Sequence, residues 1–186
     1  FHIAKADLFK FPGLCIPNPF RFDAETFEPA TTRENVKPGD PNIAEIDTGE
    51  LWLNVGDRSD IRGYLPSVED EAVYVEHLET IDGRDTVRVT FGGQSKDYTG
   101  IHTILAYAGS GADFIQIGER VTAYVELWGG DESDTLESFT SGTSRLFGED
   151  GDDYLTGGLG ASILRGGLGN DQLTAGSGAN LLIGGF

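Results

Sequence analysis

GEDGDDYLT (148–156), GGLGASILR (157–165), GGLGNDQLT (166–174) and AGSGANLLI (175–183) are four consecutive nine-residue units. Upstream, FTSGTSRLF (139–147) fits more loosely, and GGDESDTLE (129–137) fits with one extra residue, Ser138, after it. AGSGADFIQ (108–116) matches again, and 117–128 reads as one degenerate unit. An apolar residue recurs at the eighth position as Leu136, Leu146, Leu155, Leu164, Leu173 and Leu182, and glycine at the fourth as Gly142, Gly151, Gly160, Gly169 and Gly178. Self-similarity at a fixed period is the mark of a stacked repeat architecture.

Composition bounds the rest. The 186 residues include 27 glycines, about twice the usual share of roughly 7%. Lys and Arg number 13 against 31 Asp and Glu, a formal charge of −18, so the clustered basic footprint of nucleic-acid binding is missing. With 38% hydrophobic and 10% aromatic residues the chain is too apolar for a disordered acidic segment. No apolar run approaches the ~20 residues of a membrane-spanning helix. Phe1 is not a translation start, and the sequence breaks off at Gly184-Gly185-Phe186, the opening of a further unit. These ends predict a piece of a longer chain. Cys15 stands alone, so no intrachain disulfide forms.

The units resemble the GGxGxDxUx nonapeptide of the RTX (repeats-in-toxin), or hemolysin-type, calcium-binding family over residues 108–186, most closely at 148–156 and 166–174. The resemblance implies a parallel β-roll in which six residues turn, three form a short strand, and two units complete a coil. Turns on one side then lie 18 residues apart, and the sixth positions separate into two columns. One reads Asp134, Asp153, Asp171 and the other Ser144, Ser162, Asn180. Stacked strands sit roughly 4.8 Å apart. Calcium–oxygen bonds of about 2.3–2.6 Å require oxygens about 4.6–5.2 Å apart across the ion, so the two lengths match. Left alone, the acidic column is a stack of like charges.

One Ca2+ is therefore expected between Asp134 and Asp153 and another between Asp153 and Asp171, with a neutral hydrogen-bonded ladder in the other column. By the resemblance, further ligands are carbonyls of Gly129, Gly130, Gly148, Gly151, Gly166, Gly167 and Gly169. Whether Asp113 pairs with Asp134 in a third site is left open by the gap of 21 residues. Glu132 and Glu149 replace family glycines, which weakens the outer site more than the inner one.

The fold class is all-β: a C-terminal parallel β-roll (108–186), preceded by a β-rich capping segment (43–107) and an irregular arm (1–42). The arm carries Phe1, Phe9, Phe11, Phe20, Phe22 and Phe27 among prolines, which forbid a long helix or central strand. It either covers an end of its own β domain, the preferred reading, or docks on a neighbouring subunit. Strands are expected at Glu50–Val55, Ala72–Leu78, Thr86–Phe91 and Ile101–Tyr107, with turns at Asp82-Gly83 and Gly92-Gly93. This segment reads as the cover of the first coil, with a small independent β-sandwich as the alternative.

No HExxH or GxSxG motif is present. His2, His77 and His102 share no ligand spacing, and Cys15 lacks a basic neighbour. No enzymatic activity is expected. The function expected is a calcium-binding structural or adhesive module of a secreted or cell-surface protein. As in the family, it would pass a type I secretion machinery unfolded and fold on extracellular calcium. The alternatives are a self-assembling subunit of a surface layer or fibre, and a carbohydrate-binding appendage meeting a surface polysaccharide.

Overall fold

The computed structural model describes residues 42–62 and 69–185. Cys15, His2 and the expected arm, Asn42 apart, lie outside the described residues. In chain order the strands before the repeats are β1 (Ala44–Asp47), β2 (Glu50–Leu53), β3 (Ala72–Ile81), β4 (Arg84–Phe91) and β5 (Gln94–Ile101). A 3₁₀ helix, Gly56–Arg62, follows β2. Next come β6 (Thr103–Ser110), which begins in the expected capping segment, β7 (Phe114–Ile117), β8 (Tyr124–Asp131), β9 (Thr135–Ser138) and β10 (Ser144–Asp150). The repeats continue with β11 (Tyr154–Gly157), β12 (Ser162–Leu168), β13 (Gln172–Thr174) and β14 (Asn180–Ile183).

From β6 onward successive strands alternate between two sheets, and every neighbour is parallel. The first sheet runs β1-β2-β6-β8-β10-β12-β14 and the second β13-β11-β9-β7-β3-β4-β5. This is the parallel β-roll that the repeats imply, in about four turns. Strand residues alternate in and out, so the inward positions carry the apolar core. Ile104, Leu127, Leu146 and Leu164 from the first sheet and Ile115, Leu136 and Leu155 from the second are fully buried. Leu173 is partly buried, and Leu182, on the last strand described, is exposed.

The two sides of the roll are not equivalent. Turns leading from the first sheet to the second keep the nine-residue period throughout, carrying Ala106 to Ile115, Leu127 to Leu136, Leu146 to Leu155 and Leu164 to Leu173. Extra residues fall only in the return turns. Ile115 to Leu127 and Leu136 to Leu146 exceed the nine of Leu155 to Leu164. The first lengthened return turn is held by Asp85 of β4. Its buried carboxylate accepts the backbone N–H of Thr122 (2.6 Å) and Ala123 (2.8 Å) and the hydroxyls of Thr122 (3.0 Å) and Thr80 (2.6 Å).

The N-terminal end is antiparallel. β1 and β2 form a hairpin at one edge of the first sheet, and β3, β4 and β5 a meander at one edge of the second. Asp82 and Gly83 (φ 51° and 75°) and Gly92 and Gly93 (φ 56° and 76°) are left-handed pairs, which match the twist of two-residue hairpins. The sequence reading missed β5, whose QSKDYTGI turns mostly polar side chains outward. Tyr98 explains its place. The ring is buried, its hydroxyl donates to the Ala44 carbonyl (3.0 Å) and accepts the Ala44 N–H (3.1 Å), and β5 is thereby fastened to β1. The apolar core is continuous from Ile43 to Leu164.

Candidate metal centre

The six-residue turns on the side that keeps the nine-residue period, 108–113, 129–134, 148–153 and 166–171, stack in register because no insertion interrupts them. Gly109 faces Gly130, Gly130 faces Glu149, and Glu149 faces Gly167. Each turn is left-handed at its second and fourth residues: Gly109 and Gly111, Gly130 and Glu132, Glu149 and Gly151, Gly167 and Gly169. In the return turns Gly142, Gly158, Gly160, Gly176 and Gly178 are not left-handed. The two kinds of turn therefore differ in backbone as well as in side chain.

At the sixth position each carboxylate accepts the N–H of its counterpart one coil earlier. The Asp134 N–H donates to Asp153 Oδ1 (2.9 Å) and the Asp153 N–H to Asp171 Oδ1 (3.1 Å). The ladder extends upstream: Asp113 N–H donates to Asp134 Oδ1 (2.8 Å), and Glu71 N–H to Asp113 Oδ1 (2.7 Å). The spacing of 21 residues from Asp113 to Asp134 is thus absorbed on the opposite side of the roll.

Only one oxygen of each carboxylate is used. Oδ2 of Asp113, Asp134, Asp153 and Asp171 is buried without a hydrogen-bond partner. Buried polar groups almost always find partners, so four repeats of the same orphan atom mark a place for something else. In three turns this oxygen lies over the first glycine. A methyl on Gly129, Gly148 or Gly166 would come within 2.2, 2.0 or 2.0 Å of Oδ2 of Asp134, Asp153 or Asp171. Burial, with like charges along the column adding to it, pushes the Asp134 carboxyl up to about 8 and that of Asp113 to about 6. The Asp153 carboxyl is raised for the same first cause.

Of the residues expected to hold calcium, Asp134, Asp153 and Asp171 are brought into one column. Gly129, Gly130, Gly148, Gly151, Gly166, Gly167 and Gly169 lie in the same stacked turns. Among the described residues no three His, Cys, Asp or Glu side chains converge as a metal cluster. A hard cation here would therefore complete its oxygen shell from turn carbonyls, the chemistry that calcium accepts and zinc does not favour. The orphan carboxylate oxygens, with glycine beneath them and no competing nitrogen or sulfur donors, fit calcium.

The other column is neutral. Ser144 Oγ donates to Ser162 Oγ (3.0 Å), both buried, and Asn180 Nδ2 donates to the carbonyls of Gly176 (2.8 Å) and Gly178 (2.7 Å). The histidines are apart: His77 meets Thr80, while His102 meets Thr103 and the Thr48 carbonyl. Glu69-Asp70-Glu71 is an acidic run that matches no motif of its own. Glu71 in fact heads the ladder, a role no local motif announces because it depends on β3 pairing with β7.

Residues 140–164 and 157–186 match the family model described as the RTX calcium-binding nonapeptide repeat (4 copies). No curated protein and no solved structure matches the chain. The matched residues are those that wind the coils from β10 to β14, and the chain accordingly carries RTX calcium-binding nonapeptide repeats in a parallel β-roll.

Proposed function

We propose that the chain is a non-enzymatic, calcium-folded structural or adhesive module of a larger secreted or cell-surface protein. One calcium lies between Asp134 and Asp153 and another between Asp153 and Asp171, completed by carbonyls of the flanking turns. The observation that carries this reading is the column of buried Oδ2 atoms without partners. Without an ion the column costs free energy through desolvation and like-charge repulsion; with one, the same oxygens become ligands. Binding to the folded state alone then stabilises it, by about 2.7 kcal/mol per site when free calcium is 100 times Kd. In the low calcium of a cell interior the acidic turns stay unfolded, which suits export through a type I machinery. Extracellular calcium then completes folding.

The outer face of the first sheet bears on the polysaccharide alternative. Trp52, Tyr107, Trp128 and Phe147 form a row there, but Tyr107 and Trp128 stack with centroids 4.0 Å apart and planes 8° apart. Phe147 follows at 5.5 Å and 15°. Rings stacked on one another turn their edges outward and offer few free faces for a sugar, which favours the structural reading.

Calcium titration calorimetry on the chain and on Asp153→Asn tests the proposal. The substitution should abolish both ions that Asp153 shares, and far-UV circular dichroism should show loss of β signal in chelator. An unchanged spectrum in chelator, together with undiminished stoichiometry in Asp153→Asn, would sink it.

A further inference from the structure

The ladder of carboxylates does not end where the matched repeats begin. AGSGAD (108–113) has the same left-handed second and fourth residues, Gly109 (φ 93°) and Gly111 (φ 111°), as the turns below it. Its strand β6 pairs with β8 so that Gly109 and Ser110 face Gly130 and Asp131. Asp113 is 2% exposed and Asp134 0%, and each has Oδ2 buried without a partner. The turn differs at its first residue, where Ala108 carries the methyl that the turns below lack; what it shares with them is the backbone carbonyl and the orphan Oδ2.

One coil higher the pattern changes. A methyl on Gly111 would lie 2.0 Å from the Glu69 carbonyl, much as one on Gly151 would lie 1.8 Å from that of Glu132. Residues 69–71 therefore stack on 111–113 as a further turn, with Glu71 in the sixth position. The Glu71 carboxylate, unlike those below, is matched from within the chain. It forms an ion pair with the fully buried Arg62 and accepts the Gly56 N–H (2.7 Å). Arg62 in turn lies 4.3 Å over the Phe91 ring, which helps hold a buried guanidinium in place.

We infer that a third calcium ion binds between Asp113 and Asp134, outside the matched repeats, and that Arg62 supplies the cation that closes the ladder above it. The inference rests on the calcium reading of the column. It adds that calcium ties the antiparallel N-terminal strands to the roll, because the residue donating to Asp113 Oδ1 belongs to the turn entering β3.

The test is calcium stoichiometry of the full chain by calorimetry, beside Asp113→Asn, Asp113→Ser and Asp171→Asn. Asparagine keeps an acceptor for the Glu71 N–H, and serine already occupies the sixth position in the neutral column, so circular dichroism in saturating calcium should match the parent. Three ions in the parent and two in each Asp113 variant are expected. Two ions in the parent and in both Asp113 variants would overturn the third site. So would three that survive both substitutions, and a fourth ion would overturn the role given to Arg62. Asp171→Asn reports on the underlying reading separately: it should remove one ion whether the parent binds three or two. A parent that binds none brings down both.

Discussion

Glu132 and Glu149 stand at φ 78° and 80°, where the equivalent positions of the other turns hold glycine. An L-residue there brings Cβ against its own carbonyl, at a cost of roughly 1–2 kcal/mol. Both side chains are exposed, so truncating them removes no packing. Glu149→Gly and Glu132→Gly should each stabilise the calcium-loaded chain by about 0.5–1 kcal/mol, the strain relief less the entropy that glycine loses on folding. Urea denaturation in millimolar calcium measures this, and a lower midpoint for both variants would contradict it. The opposite substitution at Gly167 is steric as well as conformational, since a methyl would lie 1.9 Å from the Glu149 carbonyl. The glutamates thus mark positions where the turn tolerates a side chain pointing to solvent, not a different turn.

Among the elements, the acidic turns set how stability responds to pH. Burial raises the carboxyls of Asp113, Asp134 and Asp153 in the metal-free fold. A group whose pKa is higher folded than unfolded favours folding below its unfolded value, near 4, and that contribution is lost as pH rises through the folded value. For Asp113 the loss is centred near about 6 and for Asp134 near about 8. Thermal melts in chelator should therefore give a lower Tm at pH 8.5 than at pH 5. Saturating calcium should raise Tm more at the higher pH, since the ion then competes with fewer protons. A chelated chain that gains stability from pH 5 to 8.5 would contradict the assignment. The neutral column, with Ser144 bonded to Ser162, contributes no such dependence.

At the scale of the whole molecule, one apolar core runs from Ile43 to Leu164, but what balances it differs along its length. Around β3, β4 and β5 the buried charges are matched internally, Arg62 by Glu71 and Asp85 by four donors. From Asp113 onward the buried carboxylates are not. Hydrogen exchange in chelator should consequently find strands 72–101 protected while 129–183 exchange rapidly, with calcium restoring protection to the latter. Uniform protection with and without calcium would show that the roll stands on apolar packing alone. Strands 72–101 have the antiparallel ladders and Tyr98 to hold them without an ion.

The period of nine, the apolar eighth position and the glycines were legible in the sequence, and the resemblance they carry implied a parallel roll, on which aspartate and serine segregate to opposite sides. They are local properties: each unit carries its own glycines and its own inward residue, so no distant contact is needed to read them. The place of Asp113 was not legible, because a gap of 21 residues has meaning only once the extra residues are seen to fall in the return turn that Asp85 holds. Nor were β5, Glu71 or Arg62, whose roles arise from partners 54, 42 and 9 positions away. Sequence alone determined the repeating unit, since backbone freedom and side-chain period are written within nine residues. Where the column of charge ends is a matter of long-range packing, because it depends on which residue closes the stack.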